Sequence, residues 1–204
     1  MTHRSVCGLL GALLLCACSG ARPRAMIPPE VQFVSRAEWG ARPPVLPMRP
    51  HTLERLTIHH TGTDQNPRRS VADKLQGLQL FSQRDDSLAS GRRKPAWADV
   101  PYHFYVATDG AVGEGRDWRY AGDSNTAYDP AGHLLIVVEG NFQRDTLTTA
   151  QRRTLDIIVP ALARRFGIPA DRLASHRDYA DTQCPGANLY AELPRFRELI
   201  SARR

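Results

Sequence analysis

One stretch organises this chain: SHRDYADTQCPG, residues 175–186. It places His176 and Cys184 eight residues apart, on either side of an irregular segment that ends in Pro-Gly. An imidazole and a thiolate together suit a borderline-soft divalent cation, and zinc is the usual one. Two ligands do not complete a site, so a third ligand has to come from elsewhere in the chain.

The best candidate for the third ligand lies far upstream, in TIHHTG at residues 57–62. An alternating apolar run stops there, and two histidines project where a strand would end. Successive residues of a strand face opposite sides, so we expect His59 to bind the metal and His60 to face away from it. Three protein ligands plus an open position is the catalytic form of a zinc site, whereas a structural site has four. The sequence therefore predicts a Zn²⁺ cofactor held by His59, His176 and Cys184.

Hydrophobic periodicity and turn residues give the order of the secondary structure elements. This order predicts an α/β fold: a single domain with a mixed central β-sheet flanked by helices, and the zinc site at one edge of the sheet. Pro160 should kink or restart the longest helix, and Pro194 should interrupt the last one. The predicted elements are a strand at 53–58, a helix at 71–81, a polar loop at 82–95, a hairpin at 102–115, a strand at 134–138 and helices at 148–166 and 187–200.

The first residues carry the features of an export signal. Arg4 supplies a positive charge, and the apolar run that follows is too short for a lasting membrane span. The run ends in LCACS at residues 15–19, which resembles a bacterial lipobox with Cys18 as the lipidated residue; the alternative is an ordinary secretory signal that contains cysteines. We expect residues 1–17 to be a lipoprotein signal peptide, 18–33 a lipidated N-terminus and flexible tether, and 34–204 the domain that holds the zinc site.

Export and lipidation have consequences for location and for the cysteines. The protein is expected to be exported and lipid-anchored in the bacterial cell envelope, and Ser19 after Cys18 is compatible with sorting to the outer membrane. Cys184 is then the only free thiol of the mature chain, and metal ligation would keep such a thiol from reacting.

The charge distribution argues against nucleic acid as a partner. The formal net charge of the chain is +6. Its basic residues are scattered or paired, without the interleaved aromatic residues of a nucleic-acid platform. A mildly basic exported protein fits an anionic cell-wall polymer, although such pairs are also common on ordinary solvated surfaces.

Several separated motifs, in the same order, resemble the peptidoglycan recognition protein and phage amidase-lysozyme superfamily. The resemblance runs from about residue 34 to residue 193, and it includes the zinc-binding signature of that superfamily. The motifs are IHHT at 58–61, HRD at 176–178, TQCPG at 182–186, the opening motif SRAEWGAR at 35–42, the central strand WADVPYHF at 97–104 and the turn EGRDW at 114–118.

The resemblance implies catalytic roles for two residues. In these amidases a tyrosine of the central strand assists at the metal, and Tyr102 occupies that place; the alternative is a half-buried strand tyrosine. Thr182 stands where phage-type enzymes carry a lysine. Other amidases of the superfamily carry a glutamate at the place of Val137, and only Glu139 is near it here, so the general base stays open.

Substrate contacts are predicted for His60, Trp97 and Tyr120. His60 either contacts substrate or is a satisfied structural histidine. Tyr120 stands before Ala-Gly where relatives often have a histidine, and its ring either binds substrate or packs at the rim.

The predicted function is that of a zinc-dependent N-acetylmuramoyl-L-alanine amidase. It would hydrolyse the amide bond between N-acetylmuramic acid and L-alanine in peptidoglycan. The alternative is a non-catalytic peptidoglycan-binding module, and a glycosidase is disfavoured because no pair of carboxylates stands out. The expected partners are peptidoglycan or muropeptides and, through the lipid, the membrane, and the protein is expected to be a monomer.

Overall fold

In the computed structural model, which describes residues 26–88 and 91–202, the chain forms one mixed sheet flanked by helices. The six strands of the main sheet lie in the order β1-β6-β5-β7-β2-β8. All neighbours are parallel except β5 and β6, which form the predicted hairpin. The strands are β1 (Phe33–Val34), β2 (Arg55–His60), β3 (Asp86–Ser87), β4 (Arg93–Lys94), β5 (Phe104–Val106), β6 (Val112–Glu114), β7 (His133–Val138) and β8 (Leu173–Ser175).

The central strand β7 is buried on both faces, as its apolar run predicts. Leu134, Ile136 and Val138 belong to one apolar cluster, and Val137 belongs to a second cluster on the opposite face. Helices cover both faces. They are α1 (Val71–Ser82), α2 (Thr149–Arg165), α3 (Ala187–Tyr190) and α4 (Leu193–Ala202).

The two long helices each begin at a capping residue, next to the predicted starts. The side chain of Ser70 accepts from the backbone N–H of Asp73 at the start of α1, and Thr148 and Gln151 form a reciprocal capping box at the start of α2. Helix α2 runs through Pro160 as one element, which excludes a restart at that residue and leaves a kink as the prediction. The final helix is interrupted as predicted, and Pro194 lies in the first turn of α4, where its missing N–H is tolerated.

Two segments are more structured than the sequence suggests. Residues 82–95, predicted as a loop, contain the small antiparallel pair of β3 and β4. Residues 26–33, assigned to the tether, contribute Met26, Ile27 and Val31 to the larger apolar cluster. The packed domain therefore begins no later than Met26 rather than at residue 34. Cys18 and the predicted signal peptide lie outside the described residues.

None of the helices within residues 26–88 and 91–202 combines the length and the apolar character that a membrane crossing requires.

Candidate metal centre

The sheet topology explains how two distant histidines meet. Strands β2 and β8 are parallel neighbours, and Ile58 pairs with Ser175 in their register. His59 and His176 each follow one of these paired residues, so they leave the same end of the sheet side by side. Their ring centroids are 4.7 Å apart.

The alternation within β2 separates the two adjacent histidines, as the period of a strand predicts. His59 pairs with Val137, on the sheet face that α1 covers, and it is 2% exposed. His60 pairs with Val138, on the other face, and its ring stacks on Phe142.

A close backbone approach brings the thiol to this edge. Gly186 has φ = +88°, and a Cβ at this position would lie 2.3 Å from the carbonyl carbon of Phe142. Only glycine satisfies both conditions, which lets the loop containing Cys184 lie against the sheet. The backbone N–H of His60 donates to the Cys184 Sγ atom at 3.4 Å, and this contact orients the thiol.

The resulting cluster fits a zinc ion. The ligand atoms of His59, His176 and Cys184 all lie within 4.8 Å of one another, and the Cys184 Sγ atom is 3.7 Å from the His59 Nδ1 atom. Tetrahedral zinc with bonds of the usual length places its ligand atoms about 3.5 Å apart. The donor set of two imidazoles and one thiol is also one that zinc prefers.

Burial sets the ionisation of the three groups. It holds the pKa of His59 well below its usual value and lowers the pKa of His176 to about 4, so both imidazoles stay neutral with lone pairs available. It also raises the pKa of the Cys184 thiol to about 12. A thiolate is therefore unfavourable in this pocket unless a cation lies beside it, and a divalent metal would supply that cation.

Tyr102 and Thr182, the two predicted catalytic residues, both adjoin the cluster. The ring centroid of Tyr102 is 5.1 Å from that of His59. Burial raises the pKa of Tyr102, so its phenol stays protonated and is a hydrogen-bond donor. Thr182 accepts a hydrogen bond from the backbone N–H of Cys184 at 3.2 Å, which leaves its hydroxyl proton for another partner.

The three predicted substrate residues lie in different surroundings. Trp97 lines a cavity of about 440 Å³, and the ammonium of the buried Lys94 lies 4.5 Å from its ring. His60 is half-buried against Phe142 on the sheet face away from the metal cluster. Tyr120 forms an isolated bridge with Pro50 and does not line the cavity.

Sequence reasoning missed two residues of the site, Thr126 and Tyr128. Both lie in the segment 124–132, which reads only as a loop. The Thr126 Oγ1 atom is 2.7 Å from the His176 Nε2 atom, and the Tyr128 Oη atom is 3.3 Å from the His59 Nε2 atom. Tyr128 also lines the cavity beside Trp97, so the same loop contacts both the metal cluster and the cavity.

Glu139, the one carboxylate near the expected position of a general base, is buried and held by hydrogen bonds. It is 3% exposed, and its Oε2 atom accepts from the Lys74 ammonium and from the backbone N–H of Thr108, both at 2.7 Å. Its Oε1 atom accepts from the backbone N–H of Asn66 at 2.9 Å. Both oxygens therefore hold structure, and Glu139 is a poor candidate for proton transfer.

Replacing Glu139 by glutamine tests this assignment. We expect a loss of about 3–5 kcal/mol in the free energy of unfolding, because the Lys74 ammonium is left buried and unpaired. If the protein is the amidase that its sequence predicts, turnover of the folded variant should stay near the wild-type value. Thermal unfolding and hydrolysis of muropeptides, the predicted substrate, measure the two effects on the same sample. Asp64→Asn, which breaks the exposed pair with Arg144, is the control and should cost less than about 1 kcal/mol. A stable Glu139→Gln variant without turnover would instead make Glu139 catalytic.

The fold and the site together define a class: single mixed α/β domains that can hold a divalent metal between two imidazoles and a thiol at the end of parallel strands. The family model for N-acetylmuramoyl-L-alanine amidase (Amidase_2) matches residues 49–187. The chain belongs to this family.

Similar proteins include both recognition proteins and amidases. Peptidoglycan-recognition protein SC2 of Drosophila melanogaster is 31% identical over 166 residues, which cover 80% of this chain and 85% of that protein. The human N-acetylmuramoyl-L-alanine amidase is 31% identical over 180 residues, which cover 82% of this chain but 29% of the human protein.

Among solved structures, peptidoglycan recognition protein-LE is similar, with a TM-score of 0.65 and 26% identity. The match covers 80% of this chain and 92% of that one, and that structure holds tracheal cytotoxin, a monomeric diaminopimelic acid-type peptidoglycan.

Proposed function

We propose that the chain is a zinc-dependent N-acetylmuramoyl-L-alanine amidase that hydrolyses the amide bond between N-acetylmuramic acid and L-alanine in peptidoglycan. The observation that carries the proposal is the buried cluster of His59, His176 and Cys184 with the Tyr102 phenol beside it. Family membership supports the reaction class. A module that only recognises peptidoglycan has no need of a polarising metal next to a protonated phenol.

The chemistry of amide hydrolysis assigns a task to each group of the site. When bound, zinc supplies a Lewis acid for the scissile carbonyl and lowers the pKa of a water molecule toward neutrality. His59, His176 and Cys184 hold the ion. The Tyr102 phenol donates a hydrogen bond to the oxygen on which negative charge develops, and the Thr182 hydroxyl is positioned for a second donation.

The substrate proposal rests on the cavity and on the relatives. The cavity of about 440 Å³ adjoins the cluster through Tyr128 and has the aromatic ring of Trp97 in its wall. Aromatic rings with polar neighbours suit the mixed sugar and peptide surface of a muropeptide. A similar structure holds a monomeric peptidoglycan, which supports the same substrate class here.

The second candidate is a peptidoglycan-binding module without activity, and the recognition proteins among the relatives favour it. Mass spectrometry of muropeptides incubated with the zinc-loaded protein separates the two. Hydrolysis gives free stem peptide and sugar without peptide, and the masses of these two products add up to the mass of the muropeptide plus one water molecule. Unchanged muropeptides that nevertheless bind the zinc-loaded protein would establish the recognition module instead.

We further propose that the protein is exported and anchored by lipid at Cys18 in the bacterial cell envelope, with the outer membrane as its destination. The small Ala17 directly before Cys18 and the short apolar run upstream support this proposal. Several acyl chains on one residue give firm anchoring, where a single chain is marginal.

Cys18→Ala tests the attachment point. We expect the variant to incorporate no labelled fatty acid and to accumulate as uncleaved precursor or soluble protein. Cys16→Ala is the matched control, because it removes a cysteine two residues away and should label like the wild type. Label in the Cys18→Ala variant would move lipidation to another residue.

A further inference from the structure

The two histidines of the metal cluster each contact a hydroxyl of the loop at residues 124–132. The His176 Nε2 atom lies 2.7 Å from the Thr126 Oγ1 atom, and the His59 Nε2 atom lies 3.3 Å from the Tyr128 Oη atom. In both rings, the nitrogen that faces the loop is therefore Nε2. The His59 Nδ1 atom faces the Cys184 thiol at 3.7 Å.

This arrangement suits the tautomer that each imidazole needs to bind a metal through Nδ1. A neutral imidazole has one nitrogen that carries a proton and one that has a lone pair. The groups next to the two nitrogens decide which of them carries the proton. A hydroxyl at Nε2 can either accept the proton of that nitrogen or donate its own. When a metal takes the lone pair of Nδ1, the proton is at Nε2 and the hydroxyl oxygen accepts it; for His59, Nδ1 is the nitrogen that faces the thiol.

The loop itself is held in place, so its hydroxyls occupy fixed positions next to the two rings. The Ser124 and Thr126 hydroxyls lie 2.8 Å apart, and the backbone N–H of Thr126 donates to the Ser124 hydroxyl at 3.1 Å. Asp129 accepts from the backbone N–H of Ala131 and pairs with the Arg49 guanidinium.

The ring of Tyr128 is fixed as well as its hydroxyl. It stacks on Tyr179, with centroids 5.9 Å apart and an interplanar angle of 19°, and it meets the edge of His133 at 5.3 Å. It also lies 4.9 Å from the ring of His176. A phenylalanine at this position would keep these packing contacts and lose only the hydroxyl.

We propose that Thr126 and Tyr128 are positioning residues, which hold the rings of His176 and His59 in place and accept their Nε2 protons when zinc binds at Nδ1. The proposal rests on the zinc site of the proposed function. It adds a role for the loop at residues 124–132, which contributes no zinc ligand itself. Outer partners of metal-binding histidines typically contribute a factor of about 10–100 to metal affinity. The shorter contact belongs to Thr126, so its loss should have the larger effect.

Zinc affinity of the full chain, measured by competition with a chelator, tests the proposal. We expect the Kd for zinc to rise about 10–100-fold in Thr126→Val and by a smaller factor in Tyr128→Phe. Thr126→Ser keeps an acceptor oxygen and should retain wild-type affinity. Tyr105→Phe, which removes a buried hydroxyl outside the cluster, is the second control. Melting of the metal-free variants should match that of the metal-free wild type, which separates positioning from a general loss of structure.

The outcomes distinguish this proposal from the one on which it rests. If His176→Ala loses zinc while Thr126→Val and Tyr128→Phe keep the wild-type Kd, the positioning roles are wrong and the metal site stands. If His176→Ala itself keeps wild-type zinc affinity, the metal site is wrong and the positioning roles fall with it.

Discussion

Cys184→Ser and His176→Ala are each expected to lose the zinc ion and the amidase activity together. Each leaves two ligands of the proposed three, and two ligands do not hold zinc in a site of this kind. Serine does not replace the thiolate, because its hydroxyl is far harder to deprotonate. We expect about one zinc per chain in the wild type, almost none in either variant, and turnover at the background level.

Metal analysis of purified protein and muropeptide hydrolysis measure the two losses. His51→Ala is the matched control for His176→Ala. Its ring bonds to the Trp118 carbonyl and to the backbone N–H of Gly132, and it is not part of the cluster. That variant should keep its zinc. Full zinc occupancy in Cys184→Ser or His176→Ala would remove these residues from the list of ligands.

Tyr102→Phe is expected to lower kcat by a factor on the order of 10²–10³, the usual effect of removing one oxyanion donor. KM should change little, because the phenol acts mainly on the charge that develops in the transition state. Zinc content should stay at the wild-type level, since the phenol is outside the ligand set.

A packing role for Tyr102 predicts different results from the same measurements. It would give a lower melting temperature and a kcat close to that of the wild type. Tyr105→Phe, three residues along the chain and on the same core face, controls for the loss of a buried phenol. Near wild-type turnover in Tyr102→Phe would assign the oxyanion contact to another donor, such as the Thr182 hydroxyl.

The fold and the set of candidate ligands could be predicted because their signals are local. Capping residues mark the starts of α1 and α2, and an unbroken apolar run marks β7. His176 and Cys184 share one short segment, and His59 stands at the end of an alternating run. These local signals do not show which strands are neighbours in the sheet. The structure shows that β2 pairs with β8, and this pairing brings His59 and His176 together.

The remaining features depend on contacts between distant parts of the chain. Thr126 and Tyr128 lie in a loop without periodicity, and their roles appear only when that loop meets His59 and His176. Met26 and Ile27 are in a proline-rich stretch that is typical of a tether, yet the apolar surface at α2 buries them. Glu139 looks available in the sequence, but its carboxylate accepts hydrogen bonds from the Lys74 ammonium and from two backbone N–H groups.

The candidate ligands are also far apart along the chain, since His59 and Cys184 are separated by 125 residues. An ion bound to both would be a reversible cross-link between two distant segments of the domain. Because the unfolded chain does not preserve that arrangement, such an ion stabilises the folded form by mass action, by about 4 kcal/mol when free metal exceeds the Kd a thousandfold. The free energy of unfolding of the domain would then rise and fall with the zinc concentration around it.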